Sequence, residues 1–110
     1  MARTDPKPRF RSAPSESAYL RDSMLFDQDK ATHEFLTRVE AEVARARRKH
    51  APIHSSHEGY AVIQEEVDEF WDEVKAQTHN PAAMLKELIH TAAMAARCAT
   101  DIELIEVKAQ

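Results

Sequence analysis

The sequence predicts an all-α fold, an antiparallel helical bundle, from three observations. The 110 residues include one glycine and 6% aromatic residues, which is too few for the turns and packed faces of a sheet protein. Ala, Glu, Lys, Arg and Leu, which favour helices, are abundant. Apolar residues recur at helical spacing along the chain. A chain of this length makes one small domain with a thin core, so we expect dimerisation to complete it.

The first predicted element is an irregular basic arm over 1–22, where Pro6, Pro8 and Pro14 lie among Arg, Ser and Asp. A solvated tail is one interpretation of this arm, and a surface that contacts a phosphate or a partner is the other. The remaining residues, 23–110, are predicted to form a single helical domain.

The first helix is predicted over 29–49. Four apolar residues form one stripe along it: Phe35, Val39, Val43 and Ala46. The basic run "RARRKH" at 45–50 lies in its last turn, where cations suit the helix dipole. Pro52 ends this helical region.

The second helix is predicted over 56–77, because Ser55 and Glu58 have the spacing of a capping box. The third is predicted over 81–103, with proline at its first position. On a helical wheel, one apolar face of the second helix is expected to point inward: Tyr60, Ile63, Val67, Phe70 and Val74.

The acidic segment "QEEVDEFWDEV" at 64–74 has two interpretations. It is either the solvent face of an amphipathic helix or a carboxylate cluster that holds a cation. The pairs Glu65–Glu69 and Glu69–Glu73 place like charges four residues apart, which weakens a helix by a few tenths of a kcal/mol. A divalent cation would reverse the sign of that interaction.

The third helix is apolar around most of its circumference except for one stripe: Glu87, His90, Met94, Arg97 and Asp101. Polar groups on such a helix must find partners. One interpretation is an internal salt-bridge ladder, for example Arg97 with Asp101. The other places Glu87 opposite the acids of the second helix, which makes an oxygen-rich site for Mg²⁺, with Mn²⁺ as the alternative.

The segment "EEVDE", with Glu65, Glu66 and Glu69, matches an E-E-x-x-E signature, and the chain over 54–102 resembles the MazG-like all-α nucleoside-triphosphate pyrophosphohydrolases. The resemblance implies a bundle of MazG-like type completed by dimerisation. It implies Mg²⁺-dependent hydrolysis of a nucleoside triphosphate to the monophosphate and pyrophosphate. It also makes Glu65, Glu66, Glu69 and Glu87 candidate metal ligands. Our candidate catalytic residues are Glu66, Glu69 and His90.

One position departs from the family pattern, because His90 stands where the second signature, E-x-x-D, has aspartate. The imidazole would orient water or contact a phosphate, or it would mark a chain that has lost catalysis. The alternative function is therefore a catalytically impaired module of the same fold that binds nucleotide or a protein partner. Lys75 and Arg97 are candidates to bind phosphate, and Trp71 is a candidate to stack on a base. The alternatives are an ordinary surface or salt-bridge-ladder charge for Lys75 and Arg97, and core packing for Trp71.

Three further features of the sequence limit the cellular location and the partners that we expect. The net charge of −4 argues against nucleic acid as a partner. A lone cysteine, Cys98, and the lack of a secretory signal predict a cytoplasmic protein. No apolar run approaches the roughly 20 residues that span a membrane. We therefore expect a nucleoside triphosphate and a second copy of the chain, a homodimer or higher homo-oligomer, as partners.

Overall fold

A computed structural model describes residues 16–108, which contain three α-helices and no strand. The helices are α1 (Glu16–Lys49), α2 (Ser56–Lys75) and α3 (Pro81–Asp101). The all-α prediction is therefore confirmed. None of these helices combines the length and the apolar character that crossing a bilayer requires.

Helix α1 differs from its prediction at its start. It begins at Glu16 instead of near residue 29, so 16–22 of the expected irregular arm is helical. No proline or glycine lies between Pro14 and Lys49, and nothing in the sequence therefore stops the helix earlier. The rest of the predicted arm lies outside the described residues. The chain divides into two compact units between Thr32 and His33, and the core and site below belong to the second.

Helix α2 begins at the predicted Ser55 cap, and α3 begins at the predicted first residue, Pro81. The Ser55 side chain accepts the Glu58 N–H at 3.1 Å, and Glu58 Oε1 accepts the His54 N–H at 2.7 Å. At the start of α3 the Asn80 side chain accepts the Ala83 N–H at 3.1 Å. Both helices end two residues earlier than predicted, and Glu103 takes a left-handed conformation with φ 62° just beyond α3.

The core lies where α1 packs on α3. Val39 and Ala46 of α1 form one buried cluster with Ala93 and Met94 of α3. Phe35 and Val43 pack against the cluster, as the predicted stripe of the first helix requires. A core of so few side chains contributes little stability by burial alone, so polar contacts between helices matter more than usual here.

Helices α2 and α3 run antiparallel and approach closely at the only glycine of the chain. Gly59 lies against Cys98, near the end of α3, whereas Glu66, further along α2, lies near His90, earlier in α3. A Cβ atom at Gly59 would overlap the Cys98 sulfur. The missing side chain therefore permits the close packing that brings the middle of α2 onto α3.

The predicted inner face of α2 is partly wrong. Four apolar side chains that form one stripe are exposed instead, and we call them the outer stripe: Tyr60, Val67, Trp71 and Val74. Trp71, for example, is 54% exposed, whereas the Glu66 side chain is only 18% exposed. The face that meets α3 begins at Gly59, which lies against the Cys98 side chain, and it includes Glu66, seven residues later.

Candidate metal centre

Three carboxylates surround the imidazole of His90. Its Nδ1 lies 3.6 Å from Glu66 Oε1 and 3.7 Å from Glu87 Oε1. Its Nε2 lies 3.7 Å from Glu42 Oε2. We call these four residues the cluster. It draws one residue from α1, one from α2 and two from α3, so it forms only when all three helices are packed together.

Two carboxylate oxygens of the cluster have no partner in the described chain. Glu66 Oε1 and Glu87 Oε1 are both buried and accept no hydrogen bond from residues 16–108. One ligand atom each from Glu66, Glu87 and His90 lie within 4.8 Å of one another. Unpaired buried acceptors are costly, and a cation among them would satisfy both. The residues therefore fit a divalent metal ion.

The pKa values of the two acids reflect this crowding. Burial, followed by the charges of Glu69 and Glu87, raises the pKa of Glu66 to about 7. Burial also raises the pKa of Glu87, with the charge of Glu69 as the next cause. Glu69 therefore lies within electrostatic reach of both acids. A cation bound between them would oppose both causes and favour the ionised forms.

Glu42 is a member of the cluster that the sequence does not reveal. Arg45, one helical turn later, donates to its carboxylate from Nε at 2.9 Å. This hydrogen bond lowers the pKa of Glu42, although burial opposes the shift. The basic run at 45–50 was explained by the helix dipole alone. The available signal was the three-residue spacing of Glu42 and Arg45, which is common on helices and points to no site by itself.

A cavity of about 550 Å³ opens beside the cluster. Its lining includes four acids of α2, Glu58, Glu65, Glu66 and Glu69, and three basic side chains, Arg45, His50 and Arg97. Carboxylates suit a divalent cation, whereas guanidinium groups suit phosphate oxygens.

Arg97 carries a buried charge in the wall of this cavity. It is 4% exposed, and its Nη2 donates to the Ala51 carbonyl oxygen at 2.9 Å. The same nitrogen lies 3.9 Å from Asp101 Oδ2, which agrees with the salt-bridge ladder considered above. Its Nε has no partner among the described residues. The ladder therefore leaves one donor of the guanidinium unused.

The other predicted site residues divide into two groups. Glu65 and Glu69 line the cavity but lie outside the group of three ligand atoms. Lys75 and Trp71 do not line it: Lys75 pairs with Asp72 at 3.5 Å, and its ammonium lies 5.8 Å from the centre of the Trp71 ring. Both are exposed near the end of α2, so the structure does not bring them to the cluster.

No family model, curated protein or solved structure matches the chain. What the site does is therefore argued from its own geometry. Paired buried carboxylates and an imidazole nitrogen can hold a cation, and basic side chains nearby can contact a phosphorylated ligand.

Proposed function

We propose that the chain is a nucleoside-triphosphate pyrophosphohydrolase of MazG-like type, which hydrolyses a (d)NTP to the (d)NMP and pyrophosphate with Mg²⁺ or Mn²⁺. One observation carries the proposal most directly. Glu66 and Glu87 present buried oxygens without hydrogen-bond partners among the described residues, and Glu66 lines a cavity that Arg45, His50 and Arg97 also line. The motifs E-E-x-x-E and E-x-x-H place these two acids on neighbouring helices.

The metal ion would be held by Glu66, Glu87 and His90, with Glu65 and Glu69 close by. When bound, a divalent cation neutralises charge on the phosphates and on the leaving pyrophosphate. Because Glu66 Oε1 and Glu87 Oε1 are buried, electrostatic contacts with them are stronger than contacts in bulk water.

Two further residues act on substrate and water. Glu69 lines the cavity and lies outside the ligand group, so its carboxylate is available to accept a proton from the attacking water. Arg97 lines the same space and brings a buried positive charge near it, with its Nη2 paired to the Ala51 carbonyl oxygen. Arg45 adds a second positive charge, although its pairing with Glu42 limits its reach.

A pyrophosphate-release assay across NTPs and dNTPs, with Mg²⁺ and with Mn²⁺, tests the proposal. Glu69→Ala should lower kcat by about 10²-fold or more, the scale of general base catalysis. Glu66→Gln should lower both metal affinity and kcat. Asp72→Asn is the matched control, because Asp72 is on the same helix, exposed and outside the cavity, and it should retain wild-type turnover.

Two results would overturn the proposal. One is wild-type protein that binds a cation but releases no pyrophosphate from any nucleotide. The other is turnover that Glu69→Ala leaves unchanged, since contaminating hydrolases behave in that way.

His90 supports a second candidate, the impaired module that binds nucleotide or a protein partner. A protonated imidazole would itself place a positive charge among Glu42, Glu66 and Glu87 and would replace a cation. Calorimetry separates the two functions. Nucleotide binding in a chelator, without hydrolysis, supports the module, whereas nucleotide binding that requires the cation supports the enzyme.

The proposed enzyme is a homodimer that pairs through the outer stripe of α2. These four side chains are apolar, exposed and carried on one helix face, and the core of a single chain is small. A second copy would cover them and supply the burial that one chain lacks. Cys98 is a free thiol, which suits the reducing cytoplasm where we place the enzyme.

A further inference from the structure

Both ring nitrogens of His90 face carboxylates, but on different helices. Nδ1 faces the two unpaired oxygens of Glu66 and Glu87, and Nε2 faces Glu42 on α1. A neutral imidazole carries a proton on one nitrogen and a lone pair on the other. A cation between Glu66 and Glu87 would be met by the lone pair of Nδ1, which leaves the proton of the neutral ring on Nε2. Glu42, the carboxylate beside Nε2, could then accept that proton in a hydrogen bond.

Glu42 is held in place for this role. Arg45 donates to its carboxylate from Nε at 2.9 Å, and the Glu42 side chain is only 13% exposed. A guanidinium that binds a carboxylate fixes its plane as well as its charge. The carboxylate oxygen nearest the ring, Oε2, is therefore an oriented acceptor for Nε2. A small rotation of the ring would shorten the present separation to a hydrogen bond.

We propose that Glu42 positions His90 as a nitrogen ligand, and that the cluster thereby selects Mn²⁺ and similar transition-metal ions over Mg²⁺. Mg²⁺ prefers oxygen ligands and retains several waters, whereas imidazole is a good ligand for transition metals. A carboxylate behind a ligating imidazole raises its basicity and fixes its orientation. The inference rests on the metal site of the proposed function but does not depend on hydrolysis.

Calorimetric titration of the metal-free full chain with MnCl₂ and with MgCl₂ measures the selectivity. Wild type should bind Mn²⁺ more tightly than Mg²⁺, and His90→Asp should reduce the ratio of the two affinities by about 10-fold or more. Glu42→Gln should weaken Mn²⁺ binding by about 10- to 100-fold, the usual effect of removing such a partner. Glu40→Gln is the control, because Glu40 is an exposed acid of α1 outside the cluster.

Pulsed EPR of the Mn²⁺-loaded protein adds a direct readout of coordination. The wild-type spectrum should show coupling to an imidazole nitrogen, and His90→Asp should lose it. Circular dichroism confirms that each variant is folded. If Glu42→Gln fails to fold, the His90→Asp comparison still decides the question, because aspartate restores the oxygen ligand that the family signature has there.

A wild-type spectrum without nitrogen coupling, or an affinity ratio that His90→Asp leaves unchanged, would overturn the inference. That failure differs from failure of the proposed function. Nitrogen coupling without pyrophosphate release would support the inference and count against the enzyme. Pyrophosphate release that both metals support equally, without nitrogen coupling, would support the enzyme and count against the inference.

Discussion

The Nδ1 atom of His90 lies 3.6 Å from Oε1 of Glu66, and no described group donates a hydrogen bond to that oxygen. Burial, followed by the charge of Glu69, raises the pKa of Glu66 to about 7 from the ordinary 4.5. Between those two pH values the folded state therefore holds a proton that the unfolded state has released. Folding is weakened as the pH rises through this window.

The first prediction is that Glu66→Gln stabilises the metal-free protein at pH 8. Glutamine carries no charge to desolvate, so the variant should gain about 1 kcal/mol over wild type at pH 8 and little at pH 4. The expected gain is smaller than the free energy that corresponds to the full pKa shift of Glu66, because water reaches part of the cluster. Urea unfolding in a chelator at the two pH values measures it.

Asp72→Asn is the control for this measurement, because it removes an exposed acid from the same helix. Adding a divalent cation at pH 8 should stabilise wild type but not Glu66→Gln. The raised pKa of Glu66 would be contradicted if the free energy of unfolding of wild type increased relative to that of Glu66→Gln as the pH rises.

The second prediction concerns Asp101, which joins three parts of the fold. Its carboxylate accepts the Ile53 N–H at 2.9 Å and an Arg47 N–H at 2.8 Å. Burial opposes ionisation, but these hydrogen bonds and the nearby Arg97 outweigh it and lower the pKa of Asp101. Asp101→Asn should cost about 2 kcal/mol at pH 7, because it removes a buried charge that two arginines share.

The stabilisation by Asp101 is present above the ordinary aspartate pKa and is lost as the pH falls through the lowered value. The difference between wild type and Asp101→Asn in denaturant unfolding should therefore shrink toward pH 2. Glu34→Gln breaks the exposed ion pair with Arg38 and should cost less than about 0.5 kcal/mol. Equal effects of the two substitutions would show that burial of Asp101 does not matter.

The third prediction is that Gly59→Ala destabilises the chain by about 1–3 kcal/mol. Alanine is the better helix former, but its Cβ would overlap the Cys98 sulfur. Cys98→Ala removes that sulfur, so Gly59→Ala should cost much less in the Cys98→Ala background. The double-mutant cycle is measured by denaturant unfolding. Additive effects would contradict the close packing of α2 on α3.

The fourth prediction tests the outer stripe. Trp71→Glu places a charge among exposed apolar side chains and should convert the proposed dimer to a monomer. Light scattering at micromolar concentration gives the mass of each species. Gln77→Glu adds the same charge in the exposed loop after α2 and should leave the dimer intact. A monomeric wild type would contradict the proposed dimer.

The helices were predictable because their signals are local. The Ser55 and Asn80 caps form the hydrogen bonds that set the starts of α2 and α3, and the α1 stripe packs as its spacing requires. The start of α1 was not predictable, since irregular composition before residue 29 resembled a tail. Helix continuation there depends on the absence of any residue that breaks it.

The orientation of α2 was predicted only in part. A helical wheel ranks faces by hydrophobicity, but Gly59 has no side chain to rank, and its contact with Cys98 sets which face meets α3. Glu66 turns inward as a result. Glu42 could not be identified, because its role depends on where α1 crosses α3, and no local pattern encodes that crossing. Glu87 and His90 were identifiable as polar residues on an otherwise apolar helix.

The cluster also has a mechanical consequence, because it spans all three helices beside a thin hydrophobic core. A cation that binds Glu66, Glu87 and His90 would cross-link α2 and α3 directly, and it would link α1 through the contact of Glu42 with His90. Its binding free energy adds to the stability of the folded chain by mass action. Occupancy of the cluster would then determine whether the chain resists local opening, so its resistance to proteolysis should follow the concentration of that cation.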